Sequence, residues 1–171
     1  MKWIFCPIDN SVIKENFDCG INELDDYLKK YAKQNNQKGV AKTFVAIPEE
    51  GGKFVAGYYS VSMDKIEFDV IPQNYKKGLP RYPVPAMLIA KLAVDKSMQG
   101  TGLGKKLLMQ CFRRAINLSS EVGVFAVTVD AINEQAREFY LKFGFIPLED
   151  KVFSLFIPMK TILTVFEQSS I

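Results

Sequence analysis

The sequence contains no histidine, and this absence excludes several kinds of active site. A Ser-His-Asp triad, a Cys-His dyad and a histidine-ligated metal site all need an imidazole. Cysteine is scarce as well: Cys6, Cys19 and Cys111 lie far apart, with no Cys-x-x-Cys spacing. That pattern argues against a zinc or thioredoxin-like site and predicts reduced thiols. Any catalyst in this chain must therefore use other side chains, the backbone or the substrate's own groups.

Long apolar runs are also missing. No uncharged apolar stretch approaches the ~20 residues that span a bilayer. The segment Met1–Pro7 lacks the pattern of a signal peptide. Of the 171 residues, 48% are hydrophobic and 24% charged, with a net charge of +3, as in globular proteins. We expect a single domain over residues 1–171, a cytoplasmic location and no membrane partner.

Hydrophobic periodicity predicts a mixed α/β fold. Apolar runs indicate strands at 43–47, 53–62, 87–94, 124–129 and 153–157, with 87–94 buried on both faces. Apolar residues at helical spacing indicate helices at 21–34, 103–116 and 135–143. The first two strands form a hairpin, in which Gly57 indicates a bulge or a close backbone approach. Four prolines from Pro72 to Pro85 indicate a loop or an extended connection.

The segment from Asp95 to Lys106 is rich in glycine and joins a strand to a helix. The start of a helix offers free N–H groups and the positive end of the helix dipole, which suit a phosphate. Two nucleotide motifs are excluded by spacing. A Walker A loop needs four residues between its glycines, whereas three separate Gly100 from Gly104, and a dinucleotide fingerprint has glycine where Lys105 stands.

The spacing that does match is Gln-x-x-Gly-x-Gly, from Gln99 to Gly104. It resembles the pyrophosphate-binding loop of the GNAT superfamily of N-acyltransferases, which bind acetyl-coenzyme A (acetyl-CoA). The resemblance implies the GNAT fold: a central, mostly antiparallel mixed sheet with helices on both faces, whose splayed strands form the acetyl-CoA cleft. It also implies acetyl-CoA as cosubstrate and no metal.

A second stretch, Val129–Phe145, resembles the other GNAT signature, in which a strand is followed by Asn, Ala, Phe-Tyr and Gly-Phe. The resemblance implies that Tyr140 is the general acid that protonates the leaving thiolate. Backbone N–H groups of the strand Leu92–Val94 would polarise the thioester carbonyl. The cofactor-binding residues implied are Leu92, Ala93, Val94, Gln99, Gly100, Thr101, Gly102, Leu103, Gly104, Lys105 and Asn133.

Neither motif places a general base. An α-amine has an ordinary pKa of about 8, against about 10.4 for lysine, and an adjacent ester carbonyl lowers it further. Such an amine needs little help to lose its proton, so a water could serve as the base. A carboxylate base stays open as an alternative.

Three further stretches resemble one particular subfamily of the GNAT superfamily. Phe17–Gly20 with the following Leu24–Leu28, then Gly57–Ser60, and then Leu79–Ala86 resemble the GNAT toxins of bacterial toxin–antitoxin pairs. That subfamily acetylates the α-amine of aminoacyl-tRNA and stops translation. The resemblance implies aminoacyl-tRNA as substrate, a ribbon-helix-helix antitoxin and a second copy of the chain, in a homodimer, as partners. The residues implied to contact tRNA are Arg81, Lys91, Lys76 and Lys77.

Charge patterning supports a polyanionic substrate. Residues 72–106 carry seven Lys or Arg against Asp95 alone, a net charge of +6. A positive face suits the phosphates of tRNA. Lys105 and Lys106 can equally serve coenzyme A, and the other lysines can be ordinary solvated side chains. Three acidic residues near the start of the first helix are interpreted as favourable first-turn charges: Glu23, Asp25 and Asp26.

Two other functions stay open at this point. The chain could be a GNAT acetyltransferase of a small-molecule amine or of a protein N-terminus. It could also be a non-catalytic module that binds acyl-CoA, although an intact Tyr140 disfavours that reading.

Overall fold

A computed structural model describes residues 1–168 of the chain. It contains strands β1 to β7, which are Trp3–Pro7, Lys42–Pro48, Gly57–Ile66, Val84–Val94, Ala126–Asp130, Ile146–Leu148 and Lys151–Pro158. The helices α1 to α5 are Asn22–Asp26, Ala32–Lys38, Leu103–Ser119, Glu134–Lys142 and Met159–Gln168. A π-helical turn, Tyr27–Tyr31, joins α1 to α2.

The strands form a mixed sheet in the order β1-β2-β3-β4-β5-β7-β6. β4 and β5 run parallel, whereas β1–β2, β2–β3, β5–β7 and β6–β7 are antiparallel. The predicted mixed, mostly antiparallel sheet is therefore confirmed. Contacts divide the chain into two compact units, and the boundary falls inside β3, β4 and α3.

The first unit comprises Met1–Ser62 and Ala90–Cys111. Its antiparallel strands β1, β2 and β3 share a core with α1, the π turn and α2. Leu28 and Tyr58, both fully buried, belong to that core. The phenol of Tyr58 donates to the Leu24 carbonyl oxygen at 2.7 Å, so the helical segment is tied to β3 by a buried hydrogen bond.

The second unit comprises Met63–Ile89 and the chain from Phe112 onward. Its parallel ladder pairs Ala86–Ile89 of β4 with Ala126–Val129 of β5, and β4 itself continues to Val94. Ala86, Ala126 and Phe156 are fully buried in the core of this unit. The second half of β4 is mostly half-buried. The prediction of a strand buried on both faces is thus wrong beyond Ile89, where the parallel ladder ends.

Several predicted boundaries shift for local reasons. The helix expected to end at residue 34 continues to Lys38, and Gly39 ends it with φ +73°. β3 begins at Gly57, not residue 53, because the segment before it pairs elsewhere: the N–H of Ile13 donates to the Lys53 carbonyl oxygen and that of Val55 to the Ile13 carbonyl oxygen. Three elements were not predicted: β1, β6 and α5.

Candidate active site

The glycine loop, residues 95–104, starts with a capped 3₁₀ turn. Asp95 caps this turn, Lys96–Met98, by accepting hydrogen bonds from the Ser97 N–H at 2.9 Å and the Ser97 hydroxyl at 2.7 Å. Desolvation raises the pKa of Asp95, but the hydrogen bonds from Asp18 N–H and from Ser97 outweigh it and hold the pKa below its ordinary value. The loop therefore begins on an ionised, well-bonded carboxylate.

The glycines supply the conformations that the loop needs. Gly100 has φ +77° and Gly102 has φ +89°, in the left-handed region where other residues are strained. α3 begins at Leu103, and the Lys106 N–H donates to the Gly102 carbonyl oxygen at 3.2 Å. The N–H groups just before Lys106 precede the first helical acceptor, and groups in this position, with the helix dipole, are suited to an anion.

The Gln99 and Thr101 side chains stabilise the loop itself. The Gln99 amide donates to the carbonyl oxygens of Val94 at 2.9 Å and Cys19 at 3.0 Å. The Thr101 hydroxyl donates to the Met98 carbonyl oxygen at 2.6 Å. Of the predicted cofactor-binding residues, these two thus offer a ligand their backbone N–H groups.

Gly57 allows a close approach beside the predicted carbonyl-polarising strand. An added Cβ would lie 3.1 Å from the Ala93 carbonyl oxygen and 2.9 Å from Cδ1 of Leu107. The close-approach interpretation of Gly57 is confirmed. Because glycine stands there, β3, the end of β4 and the first turns of α3 pack against one another within the first unit.

The second predicted signature lies in the second unit and forms the expected strand and helix. Asn133 is the N-cap of α4, and its Oδ1 accepts from the Ala136 N–H at 2.8 Å. Gly144, with φ +96°, follows the helix end as predicted. Tyr140 is 5% exposed, and its ring packs edge-on against Phe139 and Phe145. The phenol is thus held in one orientation by packing.

Three of the four predicted tRNA-contacting residues come together in the second unit. Lys76, Lys77 and Arg81 line a pocket of about 480 Å³, here called the basic pocket, with Phe68, Gln73 and Leu79. The Lys76 ammonium lies 4.8 Å from the centre of the Phe68 ring. Lys91 belongs to the first unit, where its ammonium lies 5.2 Å from the Tyr27 ring centre.

A family model described as "Acetyltransferase (GNAT) family" matches residues 10–145, most of the chain. The chain belongs to the GNAT family of acetyltransferases. Two curated relatives have toxin names. The "tRNA-acetylating toxin" of Mycobacterium tuberculosis (strain ATCC 25618 / H37Rv) is 35% identical over 130 residues, 76% of each chain. The "Probable toxin TacT" of Sinorhizobium fredii (strain NBRC 101917 / NGR234) is 26% identical over 170 residues, 94% of this chain and 93% of the relative.

Solved structures of the toxin AtaT have the same fold as this GNAT chain. AtaT with acetyl-methionyl-tRNAfMet superposes with a TM-score of 0.90 at 27% identity, covering 96% of this chain and 99% of that one. AtaTR bound with AcCoA gives 0.84 at 27% identity, covering 96% and 98%. A Tyr-to-Phe mutant of AtaT bound to the C-terminus of the antitoxin AtaR gives 0.81 at 25% identity, covering 96% and 98%.

Asp18 belongs to the Phe-Asp-Cys-Gly motif, but the sequence predicted no role for its side chain. Residues 17–20 of this GNAT chain, here called the strap, contact the glycine loop. The Asp18 N–H donates to Asp95 Oδ2 at 2.9 Å, and the Asp18 carboxylate forms an ion pair with Lys96 at 3.2 Å. The signal in the sequence was the Phe-Asp-Cys-Gly motif, but nothing local to it indicates its partners.

Asp25 was interpreted only as a first-turn charge, yet it is buried and holds the strap. Its Oδ1 accepts from the Cys19 N–H at 2.8 Å. Burial and then the hydrogen bond with Asp25 raise the pKa of Cys19 to about 11. This thiol is therefore protonated at neutral pH and is not a nucleophile. By contrast, Asp26 is exposed and pairs with Lys30 at 3.3 Å.

A second polar feature that sequence reasoning missed lies beneath Lys91. The Tyr27 hydroxyl lies 3.0 Å from the Ser60 hydroxyl, which lies 3.0 Å from that of Thr43. Ser60 and Thr43 are fully buried.

Among residues 1–168, no group of three His, Cys, Asp or Glu side chains could hold a metal ion. No helix in that range is long and apolar enough to cross a membrane.

Proposed function

We propose that this chain transfers the acetyl group of acetyl-CoA to the α-amine of aminoacyl-tRNA and thereby blocks translation. The observation that carries the proposal is the 35% identity, over 76% of the chain, to a protein named tRNA-acetylating toxin. The complexes of AtaT with acetyl-methionyl-tRNAfMet and of AtaTR with AcCoA support the same substrate pair.

The glycine loop is the proposed site of the acetyl-CoA pyrophosphate. Its backbone N–H groups from Gly100 to Lys105 lie at the N-terminus of a 17-residue helix, where an anion is stabilised. Exposed Lys105 adds positive charge on the first turn. The proposed assignment of Gln99 and Thr101 is restricted to their N–H groups, since both side chains bond within the protein. Asn133 keeps its amide NH₂ as a donor, because its capping bond uses Oδ1.

The proposed chemistry needs no imidazole. Backbone N–H groups of Leu92–Val94 polarise the thioester carbonyl, and the amine nitrogen attacks its carbon. The C–S bond breaks, and the leaving thiolate takes the phenolic proton of Tyr140. The new amide nitrogen loses its extra proton to water, and Tyr140 regains one from solvent. A phenol, with an ordinary pKa of about 10, is protonated at neutral pH and so can act as this acid.

The basic pocket is the proposed contact for the tRNA backbone. It gathers three cations from one short stretch of sequence, and its lining includes no acidic side chain among the described residues. Phosphate contacts supply most of the affinity for nucleic acid, so such a pocket suits a substrate many times larger than the reacting amine. Lys91 is proposed as a further tRNA contact from the first unit.

The proposed function as a tRNA-acetylating toxin also suggests which partners the chain has and how it is organised. We propose a ribbon-helix-helix antitoxin, supported by the complex of AtaT with the antitoxin AtaR, and a homodimer. We also propose a single domain over residues 1–171, because β3, β4 and α3 each run across the boundary between the two units, so a cut there would break all three elements. Action on charged tRNA would place the protein in the cytoplasm.

The test is acetylation of total charged tRNA by the purified protein with acetyl-CoA, followed by mass spectrometry of the nuclease-released aminoacyl-adenosines. We expect an acetyl group on the α-amine of one or a few aminoacyl-tRNAs, and a strong loss with Tyr140→Phe. If charged tRNA stays unmodified while a polyamine or a peptide N-terminus is acetylated, the small-amine alternative is correct. Binding of acetyl-CoA without any turnover would instead identify an acyl-CoA-binding module.

A further inference from the structure

The strap is held to the glycine loop by several independent bonds. The Lys96 N–H donates to the Asp18 carbonyl oxygen at 2.8 Å, and the Asp18 N–H donates to Asp95 at 2.9 Å. The Gln99 amide donates to the Cys19 carbonyl oxygen at 3.0 Å. The Lys96–Asp18 ion pair adds a contact between the side chains. The part of the loop before its glycines is thus fixed at both ends.

The strap is itself anchored in the first unit. Phe17 is 2% exposed and packs edge-on against Tyr58, with ring centres 5.6 Å apart. Buried Asp25 accepts the Cys19 N–H. Gly20 has φ +92°, and an added Cβ would lie 3.3 Å from Cε of Lys96. The strap is therefore a fixed support, because burial, a buried hydrogen bond and a positive-φ turn that favours glycine hold it in place.

The carboxylate of Asp18 connects the strap to the glycine loop. Its Oδ1 accepts the Gly20 N–H at 2.9 Å within the strap, while its Oδ2 faces the Lys96 ammonium of the loop. The hydrogen bond from Lys96 and then that from Gly20 hold the pKa of Asp18 below its ordinary value, so the carboxylate is charged at neutral pH.

Such a support matters because the next residues are flexible by composition. Glycine loses more conformational freedom on ordering than any other residue, and three of the five residues from Gly100 to Gly104 are glycine. When a ligand must order its binding loop, its apparent affinity is the intrinsic affinity multiplied by the fraction of protein already in the binding-competent conformation. A loop held before binding avoids this loss.

We propose that the strap, through Asp18, is a positioning element that sets the glycine loop so that its N–H groups face the pyrophosphate of acetyl-CoA before it binds. This inference rests on the proposed use of acetyl-CoA at this loop. Asp18 touches no reacting atom in this proposal and acts only through Asp95, Lys96 and the strap backbone.

The test compares two ligands that differ in the pyrophosphate. Coenzyme A binding is measured by calorimetry, and binding of S-acetylpantetheine, which lacks the pyrophosphate and nucleotide, by ligand-observed NMR. We expect Asp18→Ala to weaken coenzyme A binding about threefold to tenfold, because it removes an exposed ion pair and a charged hydrogen bond. Binding of S-acetylpantetheine should stay within about twofold of wild type, because it makes no pyrophosphate contact.

A matched control separates this effect from a general loss of charge. Asp26 is also an exposed aspartate paired with a lysine, and its side chain is 52% exposed against 56% for Asp18. Asp26→Ala should leave coenzyme A binding unchanged. Lys96→Met, which removes the same ion pair from the loop side, should weaken coenzyme A in the same direction as Asp18→Ala.

The outcomes are distinct. Unchanged coenzyme A binding by Asp18→Ala would overturn the positioning role, and so would an equal loss for both ligands, which would indicate a general distortion. If the wild-type protein bound no coenzyme A, the acetyl-CoA assignment itself would fail, and the role of the strap with it.

Discussion

The side-chain amide of Gln99 donates a hydrogen bond to the Cys19 carbonyl oxygen at 3.0 Å, although the two residues lie 80 positions apart. The same amide donates to Val94 at the end of β4. One side chain thus joins the strap, the strand and the glycine loop. The Gln-x-x-Gly-x-Gly spacing contains Gln99, but its role in the structure is to hold the loop.

The Gln99 amide acts as a donor, and Gln99→Glu tests this. A carboxylate only accepts hydrogen bonds, so it would face two carbonyl oxygens and would also repel the pyrophosphate. We expect coenzyme A to bind about tenfold or more weakly, as measured by calorimetry. Gln37→Glu, at an exposed position on α2, is the control and should bind like wild type. Wild-type affinity in Gln99→Glu would contradict the assignment.

The proposed acid is tested by Tyr140→Phe. The variant keeps the ring that packs against Phe139 and Phe145, so the fold should be unchanged. Loss of a general acid should lower kcat about 100-fold or more, with KM for acetyl-CoA nearly unchanged. Steady-state kinetics of acetyl transfer to charged tRNA measure both constants. Tyr75→Phe, another packed tyrosine of the same unit, should retain full activity. A Tyr140→Phe rate within twofold of wild type would exclude this role.

The basic pocket is tested by its salt dependence. Lys77→Gln combined with Arg81→Gln removes two of its three cations. The affinity for tRNA is measured by filter binding from 50 to 200 mM salt. We expect the double variant to bind tRNA about tenfold more weakly than wild type, and the slope of log K against log salt to be smaller in magnitude by about 2. Coenzyme A binding should not change. The control is Lys160→Gln, an exposed lysine on α5. An unchanged slope in the double variant would exclude phosphate contacts here.

The close approach at Gly57 predicts a stability effect. Gly57→Ala places a Cβ against the Ala93 carbonyl oxygen and the Leu107 side chain, and overpacking of this kind costs about 1–3 kcal/mol. Urea unfolding gives the free energy of unfolding. Gly123→Ala is the comparison and should change stability little, because a Cβ added there would lie 3.8 Å from Cγ of Pro85, an ordinary contact distance. Equal effects of the two substitutions would argue against a special role for Gly57.

The Asp95 carboxylate predicts a pH dependence. Its pKa in the folded protein lies below the ordinary 3.8, so its contribution is fully present above pH 3.8 and is lost as the pH falls through the lower folded value. Asp95→Asn should lower the free energy of unfolding by about 1 kcal/mol at pH 7, allowing for solvent exposure. The difference should shrink below pH 3.8, as measured by urea unfolding. A difference that is the same at pH 7 and pH 3 would show that the charge is not involved.

Local patterns predicted the parts of the fold that are local in origin. The helix at 135–143 and its end at Gly144 were predicted because apolar spacing and a left-handed glycine act within one turn. β1 was missed because its five residues carry no clear alternation and its strand conformation comes with pairing to β2. β3 was predicted to start too early because Ile13, 40 residues before Lys53 in the chain, pairs with that segment.

The sequence by itself determined which chemistry is open to this protein. The absence of histidine, the glycine spacing and the tyrosine of the second signature are properties of the chain, independent of its folding. Only the tertiary structure decided that the Gln99 side chain holds the loop, that Asp25 holds the strap and that Asp18 joins them. The physical reason is distance along the chain: Asp18 and Asp95 are 77 positions apart. A hydrogen bond between such residues exists only once the strands between them have paired.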